Sequence, residues 1–182
     1  MNGFYLAIGK QGSGKTLFIT QLLYKELKEK TRPIFSNYTL FGLDYTPITF
    51  DNNKERFEKV DILDALDKDP NYFNHSIMLL DEIHIYFDSL DFFKRNSRRM
   101  QTFFSQLRKR DILLFGTTQY IMNLDIRIRR QCMNVFDMTH IYKELFNVSV
   151  KEIDGYHDYE VSNFNIDLSE YFDKYDTTEI IT

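Results

Sequence analysis

Apolar residues along this chain fall into short runs and spaced sets, and each predicts an element. Phe4 to Ile8 is an apolar run closed by Gly9, the pattern of a buried strand. From Gly14 to about Lys30, Leu17, Phe18, Leu22, Leu23 and Leu27 recur at helical spacing. Pro33 lies beyond that helix, and Ile34 to Tyr38 reads as the next strand. Residues 39 to 55 carry turn-formers and Pro47, which predicts a loop with at most a short strand. Phe57 to Leu66 predicts a short helix, broken by Asp69-Pro70-Asn71.

Ile77 to Leu80 is a strand closing on Asp81 and Glu82. Asp91 to Arg108 predicts a helix whose apolar positions are Phe92, Phe93, Met100, Phe103, Phe104 and Leu107. Ile112 to Thr117 reads as a buried strand, Leu124 to Arg130 as a short helix and Met133 to Met138 as a further strand. Tyr142 to Lys151 and Tyr156 to Phe164 alternate, predicting a hairpin around Asp154-Gly155. The tail from Asp167 is acidic and weakly patterned. Strands alternating with amphipathic helices predict an α/β fold: a mostly parallel central sheet flanked by helices, with an antiparallel edge hairpin.

The chain has 182 residues, only 7 Gly and 3 Pro, and no repeat, so no linker divides it. The expectation is a single domain, with a core over about 3–150 and the hairpin and acidic tail over about 140–182. The one cysteine, Cys132, permits no internal disulfide and reads as a small buried hydrophobe. No run approaches the roughly 20 apolar residues of a membrane span, and the N-terminus leaves no room for a signal peptide. These features predict a soluble cytoplasmic protein.

Gly9-Lys10-Gln11-Gly12-Ser13-Gly14-Lys15-Thr16 completes G-x-x-x-x-G-K-[ST] between a strand and a helix. Glycines let the backbone curl so that its N–H groups face phosphate oxygens, and the helix N-terminus adds a positive dipole. Lys15 supplies a charge for the β and γ phosphates, and Thr16 a hydroxyl for Mg²⁺. The chemistry points to ATP or GTP with Mg²⁺. At the end of the next apolar strand, Asp81 would hold the metal with Thr16, and Glu82 would act as general base on the attacking water. His84 can sense nucleotide or DNA, or serve only as a packed neighbour.

Charge is segregated. Between Lys94 and Arg130 stand ten basic residues (Lys94, Arg95, Arg98, Arg99, Arg108, Lys109, Arg110, Arg127, Arg129 and Arg130) against Asp111 and Asp125, in a chain of net charge -4. Such a stretch predicts a basic face for a polyanion, contacted through its backbone and without regard to sequence, or arginines that reach a neighbour's γ-phosphate. From Lys151 onward nine carboxylates face two lysines. That acidic end keeps the protein soluble, covers a neighbour's basic patch or repels DNA.

The phosphate loop, the Asp81-Glu82 strand, Gln106-Leu107-Arg108-Lys109-Arg110-Asp111 running into Leu113-Leu114-Phe115-Gly116-Thr117-Thr118-Gln119, and Leu124-Asp125-Ile126-Arg127 together resemble the zonula occludens toxin-like (Zot) family. Tyr175-Asp176-Thr177 is similar to that family's pattern late in the ATPase core. The resemblance covers about residues 3 to 178. It implies a P-loop nucleoside triphosphatase of the FtsK–HerA superfamily, in the additional-strand, catalytic-glutamate division. It implies Lys15, Thr16, Asp81, Glu82 and Gln119 as the nucleotide site, with Gln119 sensing the γ-phosphate and Thr118 a second candidate. It also implies Arg108 or Arg127 as an arginine acting on a neighbouring subunit.

The expected function is an ATP-hydrolysing motor that translocates double-stranded DNA in viral or plasmid genome packaging, as a homo-oligomeric ring, a hexamer. A Zot-like ATPase driving virion assembly or export through a capsid or membrane partner is the alternative. A nucleoside or small-molecule kinase, with Lys94 to Arg99 as a lid, is a lesser one. Zot-like proteins of filamentous phages carry a membrane segment after the ATPase core, and the absence of one here shifts the expectation toward a soluble motor.

Overall fold

A computed structural model describes residues 2–49, 59–87, 96–154 and 157–176. Among the described residues nine strands form one sheet, in the order β4-β3-β2-β5-β6-β1-β7-β8-β9. In chain order they are β1 (Gly3–Ile8), β2 (Ile34–Ser36), β3 (Thr46–Thr49), β4 (Val60–Asp61), β5 (Ile77–Leu80), β6 (Leu113–Thr118), β7 (Cys132–Tyr142), β8 (Leu145–Asp154) and β9 (His157–Asp167). The strands from β4 to β7 are parallel to their neighbours, and β7, β8 and β9 form an antiparallel meander.

β1 explains its own sequence. It lies between β6 and β7 and is covered on both faces, which demands a continuous apolar run. Phe4 and Leu6 enter one core with Phe103 and Phe104 of α3 (Asn96–Gln106) and with Leu107 just after it. Tyr5 and Ala7 enter the other with Leu17, Phe18 and Leu23 of α1 (Lys15–Glu29). α2 (Ile62–Lys68) and the one-turn α4 (Ile126–Arg129) cover the α3 side through Ile62, Leu63 and Ile128. Asp61 caps α2 by accepting from the Asp64 N–H at 2.8 Å.

Residues 39 to 55 contain one short strand, β3, as that reading allowed, and it holds Pro47. Other expectations shift. The anticipated helix over Phe57 to Leu66 opens instead as β4 before α2 begins at Ile62. Phe57, Phe92 and Phe93 lie outside the described residues. At the other edge the expected hairpin is a three-stranded meander. Its first turn falls at Lys143-Glu144, inside the segment that alternates on paper, because Lys143 adopts a left-handed φ of 49°. Gly155, at the second expected turn, lies outside the described residues. The tail is also more ordered than its pattern. Leu168 and Tyr171 are buried against α1's face of the sheet, and Tyr175 forms a bridge to Leu40. Cys132 is buried as expected, and burial pushes its thiol pKa up.

Candidate nucleotide site

The site gathers at the C-terminal ends of the parallel strands. Gly9 follows β1 with φ 141°, Gly12 and Gly14 have φ 76° and 80°, and α1 begins at Lys15. Two of the loop's glycines have no room for a side chain: a Cβ on Gly9 would stand 2.4 Å from the Met138 carbonyl oxygen, and one on Gly14 2.7 Å from the Phe146 ring. Ser13 is buried with its Oγ unpartnered. A buried hydroxyl without a protein partner, inside a curled backbone, fits a site for phosphate oxygens.

Lys15 is 7% exposed, and its Nζ donates to the Lys10 carbonyl at 3.1 Å. Burial lowers its pKa, and the Glu82 and Asp81 carboxylates oppose that shift. The Thr16 hydroxyl donates to Asp81 Oδ1 at 2.9 Å, bringing the two expected Mg²⁺ ligands together. A hydroxyl beside a carboxylate fits Mg²⁺, which takes few protein ligands and keeps waters and phosphate oxygens for the rest.

Two residues that sequence reading left without a role hold Asp81. Asn37, buried after β2, accepts from the Asp81 N–H at 2.7 Å and donates to its carbonyl at 2.9 Å. Thr117, near the end of β6, donates to Asp81 Oδ1 at 2.5 Å and accepts from the Glu82 N–H at 2.9 Å. Thr117 carried a signal, a small polar residue closing an apolar run, whereas the pairing of Asn37 across 44 residues carried none. Beneath them the Tyr38 phenol shares a 3.0 Å hydrogen bond with Thr20 of α1, and Tyr175 of the tail packs edge-on against Tyr38. Burial and the Asp81 charge push the Tyr175 pKa up to about 12.

Glu82 directly follows the strand's last carboxylate and takes a left-handed φ of 48°. Burial, then the Asp81 charge, raises its pKa, while Lys15 and His84 pull the other way. His84 Nδ1 stands 3.2 Å from both Glu82 Oε2 and Thr118 Oγ1. β6 lies between β1 and β5, so its end meets both motifs. The Gln119 carbonyl accepts from the Gly9 N–H at 3.4 Å, which seats Gln119 against the phosphate loop.

The two candidate arginines do not join this chain's own site. Arg108 lies beside Gly3 at the opposite end of β1, 3.5 Å from where a Gly3 Cβ would be. Arg127 is folded onto Asp125, with Nε 3.1 Å from Oδ1. A role for either in hydrolysis requires a second copy. The basic stretch also divides. Arg99 pairs with Asp67, and Arg110 is held by Gln106, the Pro70 carbonyl and the Phe103 ring. Arg108 and Lys109 lead into β6 and Arg130 into β7, so exposed cations collect where these strands start, away from the phosphate loop. Lys94 and Arg95 lie outside the described residues, as does Thr177. Among the described residues no helix is long and apolar enough to cross a membrane.

No curated protein matches the sequence. Among solved structures, the N-terminal domain of zonular occludens toxin from Neisseria meningitidis is similar at TM-score 0.72 and 19% identity, over 97% of this chain and 100% of that one. The genome packaging NTPase B204 of Sulfolobus turreted icosahedral virus 2, in complex with ATP-gammaS, is similar at TM-score 0.55 and 13% identity, over 81% of this chain and 91% of that one. The DNA-packaging ATPase B204 of Sulfolobus turreted icosahedral virus gives TM-score 0.55 and 15% identity, over 82% and 93%. These likenesses confirm a P-loop α/β fold with a mostly parallel sheet. The profile of the zonular occludens toxin (Zot) family matches residues 3–143, well over half of the sequence, and the chain belongs to that family.

Proposed function

We propose that this protein binds ATP with Mg²⁺ and hydrolyses it to move double-stranded DNA in genome packaging, working as a ring of copies, a hexamer. The observation that carries the nucleotide reading is the convergence of Lys15, Thr16, Asp81 and Glu82 on one buried corner beside an unpartnered Ser13 hydroxyl. The loop's N–H groups and Lys15 would hold the β and γ phosphates. Thr16 and Asp81 would hold the metal, which when bound withdraws charge from the phosphates. Glu82 would take the proton of the attacking water, its raised pKa making it a better acceptor than an exposed glutamate. Gln119, fixed beside Gly9, would contact the γ-phosphate or the water. An arginine from a neighbouring copy, Arg108 or Arg127, would offset charge in the transition state.

The cationic end formed by Arg108, Lys109 and Arg130 supports a polyanion as the moved polymer. The test is ATPase rate with and without double-stranded DNA across a salt series. Stimulation that fades with salt, and is lost in Arg108→Glu/Lys109→Glu, is expected. No stimulation at any salt concentration overturns the DNA reading.

A second reading is favoured by the wider match to the Zot domain than to the packaging ATPases. In it the same hydrolysis drives virion assembly or export through a capsid or membrane protein. Affinity purification separates the two: nucleic acid on the particles supports the first, a stoichiometric membrane or capsid protein the second. A kinase lid over Lys94 to Arg99 gains no support, since Arg99 is bound to Asp67.

A further inference from the structure

We propose that His84 is a positioning residue for Glu82. Its Nδ1–H steadies carboxylate oxygen Oε2, leaving Oε1 to face the attacking water, and ties that carboxylate to the end of β6 through Thr118. The proposal rests on the hydrolysis reading above and deepens it.

Three observations carry it. First, Glu82 Oε2 is sealed from solvent and has no aligned hydrogen-bond partner among the described residues, although the side chain as a whole is 26% exposed. A buried carboxylate oxygen left unpaired is costly, so a donor in reach will be used. Second, that donor is in reach: His84 Nδ1 lies 3.2 Å away. Third, the same nitrogen lies 3.2 Å from Thr118 Oγ1, and Thr118 Oγ1 in turn donates to the Tyr120 carbonyl at 3.4 Å. With its own proton committed there, the threonine oxygen accepts from the imidazole. One N–H is then shared between Glu82 and Thr118, which fixes the tautomer with the proton on Nδ1.

The arrangement has a reason in the backbone. Glu82 sits in a left-handed conformation at the end of β5, where its N–H is taken by Thr117. The neighbours Thr117 and Thr118 therefore hold the two ends of one residue: Thr117 its amide directly, Thr118 its carboxylate through His84. Gln119 is the next residue along. A base that must take a proton from one water needs its carboxylate rotamer set before the water arrives. His84 sets it, and registers it against the strand that also carries the γ-phosphate contact.

The test compares the unmutated protein with His84→Ala, His84→Asn, Thr118→Val, Glu82→Gln and the Glu82→Gln/His84→Ala double variant. For each, kcat, the dissociation constant of Mg²⁺-ATP and the melting temperature are measured. His84→Ala is expected to lower kcat roughly 10-fold, the scale of one hydrogen bond to a charged group. Nucleotide affinity should stay within about twofold, because the lost contact acts on the water step. His84→Asn, whose amide N–H reaches where Nδ1–H does, restores most of the rate. Thr118→Val lowers kcat several-fold without the volume change of the alanine variant. In the Glu82→Gln background, removing His84 costs nothing further. An active His84→Ala protein with unchanged kcat overturns the assignment, as does His84→Asn as impaired as alanine, or additive losses in the double variant. If the unmutated protein hydrolyses no nucleoside triphosphate, the hydrolysis reading itself falls and this proposal with it, so the two failures are told apart.

Discussion

The Thr16 hydroxyl and the Asp81 carboxylate meet at 2.9 Å, and Thr117 reaches the same Oδ1 from the opposite side at 2.5 Å. One oxygen thus joins the first turn of α1, the end of β5 and the end of β6. The consequence for metal dependence is direct. In Thr16→Ala and Asp81→Asn, nucleotide affinity should lose its dependence on Mg²⁺. Titrations of a fluorescent ATP analogue with Mg²⁺ and with chelator should then coincide. A Mg²⁺ effect as large as in the unmutated protein contradicts the assignment.

Lys15 is buried between the loop and the two acids, so its replacement removes a charge that the site is built around. Lys15→Ala should weaken nucleotide binding by about 10- to 100-fold, the range of a charge-assisted hydrogen bond. Calorimetric titration checks this, with circular dichroism to confirm that the fold survives.

Glu82→Gln keeps the size of the side chain and removes its basicity. Nucleotide should still bind, while single-turnover hydrolysis falls by roughly 100-fold or more. Turnover at the unmutated rate would remove Glu82 from the role of base.

At the other end of the sheet, the Arg32 side chain is 5% exposed and clamps Asp111, with Nη2 3.3 Å from Oδ1 and Nη1 2.9 Å from Asn2 Oδ1. The hydrogen bond from His75, then Arg32 and Asn2, holds the Asp111 carboxyl below its usual range. A depressed carboxylate stabilises the fold at pH values above its unfolded pKa, near 3.9. That contribution drains away as pH falls through the lower folded value. Melting temperature should therefore hold steady from pH 7 to about 5 as far as this group is concerned, then drop below about pH 4. Asp111→Asn should flatten that acid limb and cost roughly 1 kcal/mol at neutral pH, a modest figure because Asp111 is 37% exposed.

Gly14 joins two parts of the fold. It has φ 80°, and a Cβ there would stand 2.7 Å from Phe146 of β8. Gly14→Ala should lower stability by about 1–2 kcal/mol through backbone strain and crowding, and weaken nucleotide binding. Pairing it with Phe146→Leu should recover only the crowding share. Chemical denaturation of the single and double variants separates the two contributions.

Much of this arrangement is written in local pattern. The loop from Gly9 to Thr16 needs particular residues at particular places, and the acids need a strand's end, so both can be read without coordinates. The meander could not. Tyr142 to Lys151 alternates well enough to be one strand, and only the left-handed Lys143 shows where the chain turns. Nor could the tail be read, because Leu168, Tyr171 and Tyr175 are single apolar residues whose partners lie on α1 and after β2. Asn37 shows the same limit: its pairing with Asp81 spans 44 residues and leaves no periodic trace.

The exposed cations and the phosphate loop stand at opposite ends of the same strands. β6 runs between them for six residues, about 20 Å. No side chain spans that distance. A polymer bound at Arg108 and Lys109 would touch nothing at the nucleotide site of the same chain, so a signal between the two would pass through β6 itself, a stiff and fully buried rod.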